Sequence, residues 1–183
     1  MHSRTRNLIL AALLAALTAI GAFLRFPLGA MSVTLQFLFT ALAGVLLGPR
    51  WGAFSQLAYV VIGLVGLPVF TMGGGPGYVF QPSFGFLLGL IPAAWVVGVL
   101  AGREGKFWRV FGACAAGLGT LYLVGLPYMY LILNVYLGKG LPVSAVVWTG
   151  MAVYLPGDLL KLLAVAASAP PLVRALGRYR PQS

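Results

Sequence analysis

The sequence predicts an all-α, polytopic membrane protein with six transmembrane helices and both termini in the cytoplasm. Three observations predict it. Of the 183 residues, 61% are hydrophobic and 8% charged, against about 45–50% and about 25% in soluble domains, which excludes a water-soluble globule and equally a disordered chain. The apolar residues fall into runs near the ~20 needed to cross a bilayer, separated by Gly, Pro and charge. The 12 Lys and Arg, against 2 Asp and Glu, gather on one side of those runs. The length holds the spans and short connections as a single integral membrane domain over 1–183.

The first span covers about 7–26. Arg4 and Arg6 ahead of it resemble the start of a signal peptide, but the run is long enough to cross and leads directly into further spans, so it reads as a retained helix. The second span, about 33–47, ends at the tight turn Gly48-Pro49-Arg50, and the third continues over about 50–65. Gly66-Leu67-Pro68 opens a loop through the glycine run at 73–77. The fourth span covers about 83–100 and the fifth about 107–126, where Pro127 is expected to interrupt it. The stretch 143–155 is too short to cross, and Pro156-Gly157 breaks it. Proline is favoured at the first helical position, which places the sixth span at 156–176 and leaves 128–154 as a long re-entrant or interfacial outer segment.

With these spans, Arg4, Arg6, Arg50, Arg103, Lys106, Arg109, Arg174, Arg178 and Arg180 share one side. Arg25 and Lys139 lie on the other, and Lys161 is inside the sixth span. Basic residues favour the cytoplasm, so both termini are cytoplasmic and the protein is multi-pass. The outer connections are long, rich in Gly and aromatic residues and nearly free of charge, which directs ligand chemistry to the outer face. A nucleic-acid partner would need a basic face on a soluble fold, and none can be built here. The single cysteine, Cys114, lies in an apolar run, and the single histidine, His2, lies in the N-terminal tail. No internal disulfide, metal site or His-based catalytic triad follows from them, and no cofactor is indicated.

Asp158 and Lys161 carry the strongest signal. A charge at the bilayer centre costs about 2.5–3.5 kcal/mol and is by default functional; three residues apart on a helix, the two can pair. Mutual neutralisation near a helix end is the bland alternative. The functional version is a polar bracket in which a carboxylate accepts N–H groups and an ammonium donates to a carbonyl or carboxylate. The glycine run, followed by Tyr78 and by Gln81-Pro82-Ser83, is the second feature: glycines admit a ligand close to the backbone, and Gln81 offers both donor and acceptor. A phosphate cradle fails for want of the following Gly-Lys-Ser/Thr. Thr34 and Gln36 add uncharged hydrogen-bonding groups beside the first outer loop. In the first span, Ala11, Ala15 and Ala19 repeat every four residues with Ala12 and Ala16 alongside, a spacing that lets helices approach closely, either within the bundle or against a partner. Tyr122, Tyr128, Tyr130, Tyr136, Trp148 and Tyr154 form an interfacial belt, of which one or two can line a pocket.

Together these stretches resemble the BioY-type biotin-binding S-components of energy-coupling-factor (ECF) vitamin transporters. The resemblance lies in Val33-Thr34-Leu35-Gln36, in Leu47-Gly48-Pro49-Arg50 with Gly52, Ser55 and Tyr59, and in the stretch 63–70. It continues through the glycine loop to Pro82 and the run Leu155-Pro156-Gly157-Asp158-Leu159-Leu160-Lys161. It implies a multi-pass subunit of a prokaryotic cell (inner) membrane that captures biotin outside and delivers it with a transmembrane coupling subunit and a cytoplasmic ATPase pair; some members are thought to transport alone. It further implies that Asp158 and Lys161 are the polar ligand pair, that Gln81 is another ligand residue, that Thr34 and Gln36 lie over the pocket as a lid, and that Ala11, Ala15 and Ala19 dock the coupling subunit. Biotin suits such a site through its ureido ring, apolar sulfur ring, chain and carboxylate. The alternatives are another vitamin such as thiamin, a metal (disfavoured by the missing ligands), an intramembrane enzyme, which lacks a base beside any nucleophile, and a ligand-free adaptor, which leaves the charge pair unexplained.

Overall fold

The computed structural model describes residues 2–28, 31–102 and 105–177. Arg103, Arg178 and Arg180 lie outside the described residues. Helix α1 (His2–Phe23) leads into a two-stranded antiparallel hairpin, β1 (Arg25–Leu28) and β2 (Met31–Thr34), in which Arg25 pairs with Thr34 and Leu28 with Met31. This hairpin occupies the connection between the first two expected spans and is the one departure from an all-helical fold among the described residues.

Helix α2 (Gln36–Leu64) is broken at Gly48, whose φ of 77° and ψ of −177° lie outside helical space. Glycine reaches that φ without a Cβ penalty, and Pro49 then starts the next helix in its favoured first position. The two halves, α2a (36–47) and α2b (49–64), fold back on each other. A Cβ on Gly52 would stand 3.0 Å from Gly44 Cα, and Thr40 Oγ1 lies 2.9 Å from Gln56 Oε1. In a straight helix those last two residues would be about 24 Å apart. The turn expected at Gly48-Pro49-Arg50 is thus an antiparallel α-hairpin.

A loop then follows, with a reversal at Phe70–Gly73 closed by Phe70 N–H to Gly73 O at 2.8 Å and Gly73 N–H to Phe70 O at 3.1 Å. A 3₁₀ turn (Pro76–Phe80) leads to α3 (Phe84–Leu100). Helix α4 (Phe107–Leu131) runs on through a π-helical turn (Ile132–Tyr136). Pro127 therefore does not end the helix. It removes only one backbone donor, whereas stopping in an apolar environment would expose several unpaired groups. The segment 128–154, expected to be re-entrant or interfacial, instead continues α4 and then forms the short helix α5 (Val143–Val147) with a second π-helical turn (Trp148–Ala152). Asn134 closes the link between them: its Nδ2 donates to Leu141 O at 3.0 Å and its Oδ1 accepts Leu141 N–H at 2.6 Å. Helix α6 (Leu155–Gly177) starts beside Pro156.

Helix α1 packs on α2, α2 on α3 and α3 on α4, while α6 closes against α4 and α2. The contacts use small residues: Ala41, Ala43, Ala93, Ala94, Ala166 and Ala169 are fully buried, as expected where close packing, not apolarity, drives helix association. Large apolar side chains such as Leu123 and Trp108 face outward instead, 77% and 78% exposed. Arg4–Phe23, Gln36–Leu64, Phe107–Tyr136 and Val143–Leu176 are long and apolar enough to cross a membrane, and Phe84–Leu100 is a shorter apolar helix.

Candidate ligand-binding site

Helix α6 begins one turn before Asp158, so the carboxylate sits where the N-terminal helix dipole favours negative charge. Lys161, three residues on, returns to it: Nζ lies 2.6 Å from Asp158 Oδ1. The other carboxylate oxygen accepts the hydroxyl of Tyr122, which arrives from the middle of α4. Asp158 and Lys161 are only 5% and 7% exposed, so this is a buried charge pair whose geometry is set from two helices. A carboxylate offers about four lone-pair positions, and two are taken by Lys161 and Tyr122. The rest, with the remaining ammonium hydrogens, are available to a ligand.

These groups open onto a cavity of ≈380 Å³, within the usual range for small-molecule sites. Tyr122, Tyr154, Asp158 and Lys161 form its polar helical side, and Phe37, Phe86, Leu87, Leu90 and Leu121 its apolar wall. Thr34, Gln36, Thr71, Met72, Tyr78 and Ser83 line it from the loops and helix starts. Tyr78 is held in an aromatic row, 4.7 Å from the Phe70 ring centre and 6.4 Å from that of Phe84. Thr34 Oγ1 donates to Gln36 Oε1 at 3.0 Å, and Gln36 Nε2 donates to Tyr59 Oη at 2.7 Å. Among the described residues no three His, Cys, Asp or Glu side chains converge as metal ligands would.

Residues 1–178 match the BioY family model. The chain belongs to the BioY family. A probable biotin transporter BioY of Lysinibacillus sphaericus is 45% identical over 178 residues, covering 96% of this chain and 91% of that protein. The biotin transporter BioY of Thermotoga maritima is 34% identical over 165 residues, with 90% and 94% covered. The crystal structure of the S-component for biotin from an ECF-type ABC transporter superposes with a TM-score of 0.80 at 24% identity, covering 98% of this chain and 94% of that one; that likeness is one of fold. This BioY-family chain is accordingly an integral membrane transport protein and not an enzyme.

The structure brings Asp158, Lys161, Tyr78, Gln36 and Thr34 to one cavity. Gln81 is not among its lining residues and corrects the expectation. It ends the 3₁₀ turn, its N–H donating to Tyr78 O and its carbonyl accepting Phe84 N–H, both at 3.0 Å. Preceding Pro82, it is held extended at φ −81° and ψ 134°, and the lining positions pass to Tyr78 before it and Ser83 after it. The docking face of α1 is corrected too. Ala11 and Ala15 are 1% and 5% exposed, Ala11 O accepts Ser55 Oγ–H of α2b at 2.8 Å, and Ala19 is half-buried against the same core. This row packs inside the bundle, while Ala12 and Ala16 face outward.

Sequence reasoning missed the role of Tyr122, which it placed in the interfacial belt. A phenol in mid-helix among Gly117, Gly119 and Gly125 needs a polar partner in lipid, and a chain with 2 acids offers few. That signal was present. It also missed the interhelical chain of Thr18, Gln56 and Thr40, all fully buried.

Proposed function

We propose that the chain captures biotin at the outer face of the cell membrane and hands it inward together with an ECF coupling subunit and its ATPase pair. The observation that carries this reading is Asp158, fixed by Lys161 and Tyr122 at the wall of an otherwise uncharged or apolar cavity. The ureido ring is neutral and presents two N–H donors beside a carbonyl. Asp158 accepts the donors, Lys161 meets the carbonyl, and Phe86, Leu87 and Leu90 cover the sulfur ring and chain. A neutral ring fits the end of the site where the charges of Asp158 and Lys161 already cancel. The family membership and the names of the relatives support biotin independently.

Six crossings with both termini cytoplasmic follow if the two limbs of the α2 hairpin each count as one. The packing supports a common inner end. A Cβ on Gly98 would touch Pro49 N at 2.4 Å, one on Gly105 would meet Val173 at 3.2 Å, and Arg109 Nε donates to Leu100 O at 3.0 Å. The element ends bearing Arg50, Lys106, Arg109 and Arg174 thereby gather together, as basic residues do on the cytoplasmic side. The outward Ala12 and Ala16 of α1 supply the small-residue surface for the coupling subunit. Mass spectrometry of the small molecule retained by the purified protein tests the assignment: biotin is expected, and retention of thiamin or another vitamin in its place contradicts it.

A further inference from the structure

Tyr59 influences the cavity without lining it. We infer that Tyr59 is a positioning residue for Gln36, turning the Gln36 amide so that the ligand meets an N–H donor there and not a carbonyl. The inference rests on reading the cavity as a biotin site, and it adds which end of the ligand Gln36 reads.

The direction of every hydrogen bond in this chain is set at Val69. Its backbone carbonyl can only accept, and Tyr59 Oη donates to it at 3.1 Å. The single phenolic hydrogen is then spent. Toward Gln36, 2.7 Å away, the same oxygen can only accept, so Nε2 and not Oε1 must face it. Oε1 is left on the other side, where the Thr34 hydroxyl donates to it at 3.0 Å. Both anchors are themselves held. The Tyr59 ring is 1% exposed and sits edge-on to Phe70 with centroids 5.5 Å apart. The Gln36 backbone carbonyl lies 3.0 Å from Thr40 Oγ1, which is also 2.9 Å from Gln56 Oε1, and Gln56 Nε2 donates to Thr18 at 3.3 Å.

A primary amide has two N–H groups. One is used at Tyr59, and the second remains for the cavity that Gln36 lines. The cavity therefore presents an acceptor at Asp158 on α6 and a donor at Gln36 on α2. A ligand matching both carries N–H donors at one end and an anionic acceptor at the other, as the ureido ring and carboxylate of biotin do. Lys161, held beside Asp158 at 2.6 Å, serves the ureido end with it, which leaves the carboxylate to Gln36.

Tyr59→Phe removes the hydroxyl and keeps the ring, so calorimetric titration of biotin and of biotinamide into wild type, Tyr59→Phe, Gln36→Met and the double variant in detergent tests the inference. Released from Tyr59, the Gln36 amide can turn either face to the ligand. A carboxylate tolerates only the N–H face, whereas a terminal amide on the ligand pairs with both. Tyr59→Phe should weaken biotin about three- to tenfold while moving biotinamide by less than about twofold. It should cause no further loss in the Gln36→Met background. Thr34→Val, which removes the opposite anchor, should reproduce the biotin-selective loss and serves if Tyr59→Phe does not fold. Equal losses for the two ligands, full additivity with Gln36→Met, or unchanged biotin affinity overturns the inference alone. Wild-type protein that fails to bind biotin overturns the functional reading with it.

Discussion

In the proposed function Asp158 decides what the site recognises, and its two partners act on it differently. Lys161 cancels its charge, and the Tyr122 hydroxyl fixes the plane of the carboxylate. Tyr122→Phe keeps the ring, which meets Phe86 edge-on at 6.2 Å, and frees one carboxylate oxygen. Biotin affinity is expected to fall by about tenfold as the carboxylate loses its fixed orientation, and stability to fall by about 1.5–3 kcal/mol, the value of one hydrogen bond to a charged group; a titration showing undiminished affinity would contradict the assigned role. The pairing of Asp158 with Lys161 was legible in the sequence because three-residue spacing on one helix is a local property. The Tyr122 contact was not read, since it depends on how α4 and α6 pack across a separation of 36 residues. Gln81 misled for a related reason: its chemistry suits a ligand, but Pro82 governs its backbone and gives the lining positions to its neighbours.

At the scale of elements, two devices shape the bundle. The first is the α2 hairpin. Gly48 has φ 77°, and a Cβ there would meet nothing within 4 Å, so the cost of replacing it is conformational strain alone. Wild type is expected to exceed both Gly48→Ala and Gly48→Asn in stability by about 1–3 kcal/mol, because φ 77° with ψ −177° lies in a region that essentially only glycine occupies. Thermal unfolding in detergent checks the order; equal stability of all three would contradict the strained turn. The second is α1, whose two alanine rows face opposite ways. Ala15→Trp would collide with the core and lower stability, whereas Ala16→Trp should leave folding and biotin binding intact and block assembly with the coupling subunit. Pull-down of the coupling subunit by each variant separates the two, and normal assembly with Ala16→Trp would count against this face. The repeat itself was visible in the sequence, but a four-residue spacing occurs in both rows, and only packing against Ser55 selects which is buried. The Gly48-Pro49-Arg50 turn and the limits of α3 were legible because Gly and Pro punctuate them locally. Pro127 was over-read, since in an apolar environment continuing the helix costs less than ending it.

For the whole molecule, the central claim is that a buried charge pair is kept for its ligand. A pair needed only for neutrality is dispensable: replacing both members of a buried ion pair with apolar residues of similar volume is often neutral or stabilising, while removing one strands the other. The gathering of basic element ends opposite the cavity distinguishes the two ends of the bundle, and in the proposed function capture and hand-over take place at opposite ends of the same helices. The measurement that tests this account most directly is calorimetric titration of biotin into wild type and into the double variant Asp158→Leu/Lys161→Met, with thermal unfolding of both. The double variant is expected to fold at least as stably as wild type and to bind biotin at least about 100-fold more weakly, a loss of about 2.8 kcal/mol. Biotin affinity within about threefold of wild type in the folded double variant, a difference below about 1 kcal/mol, would contradict it.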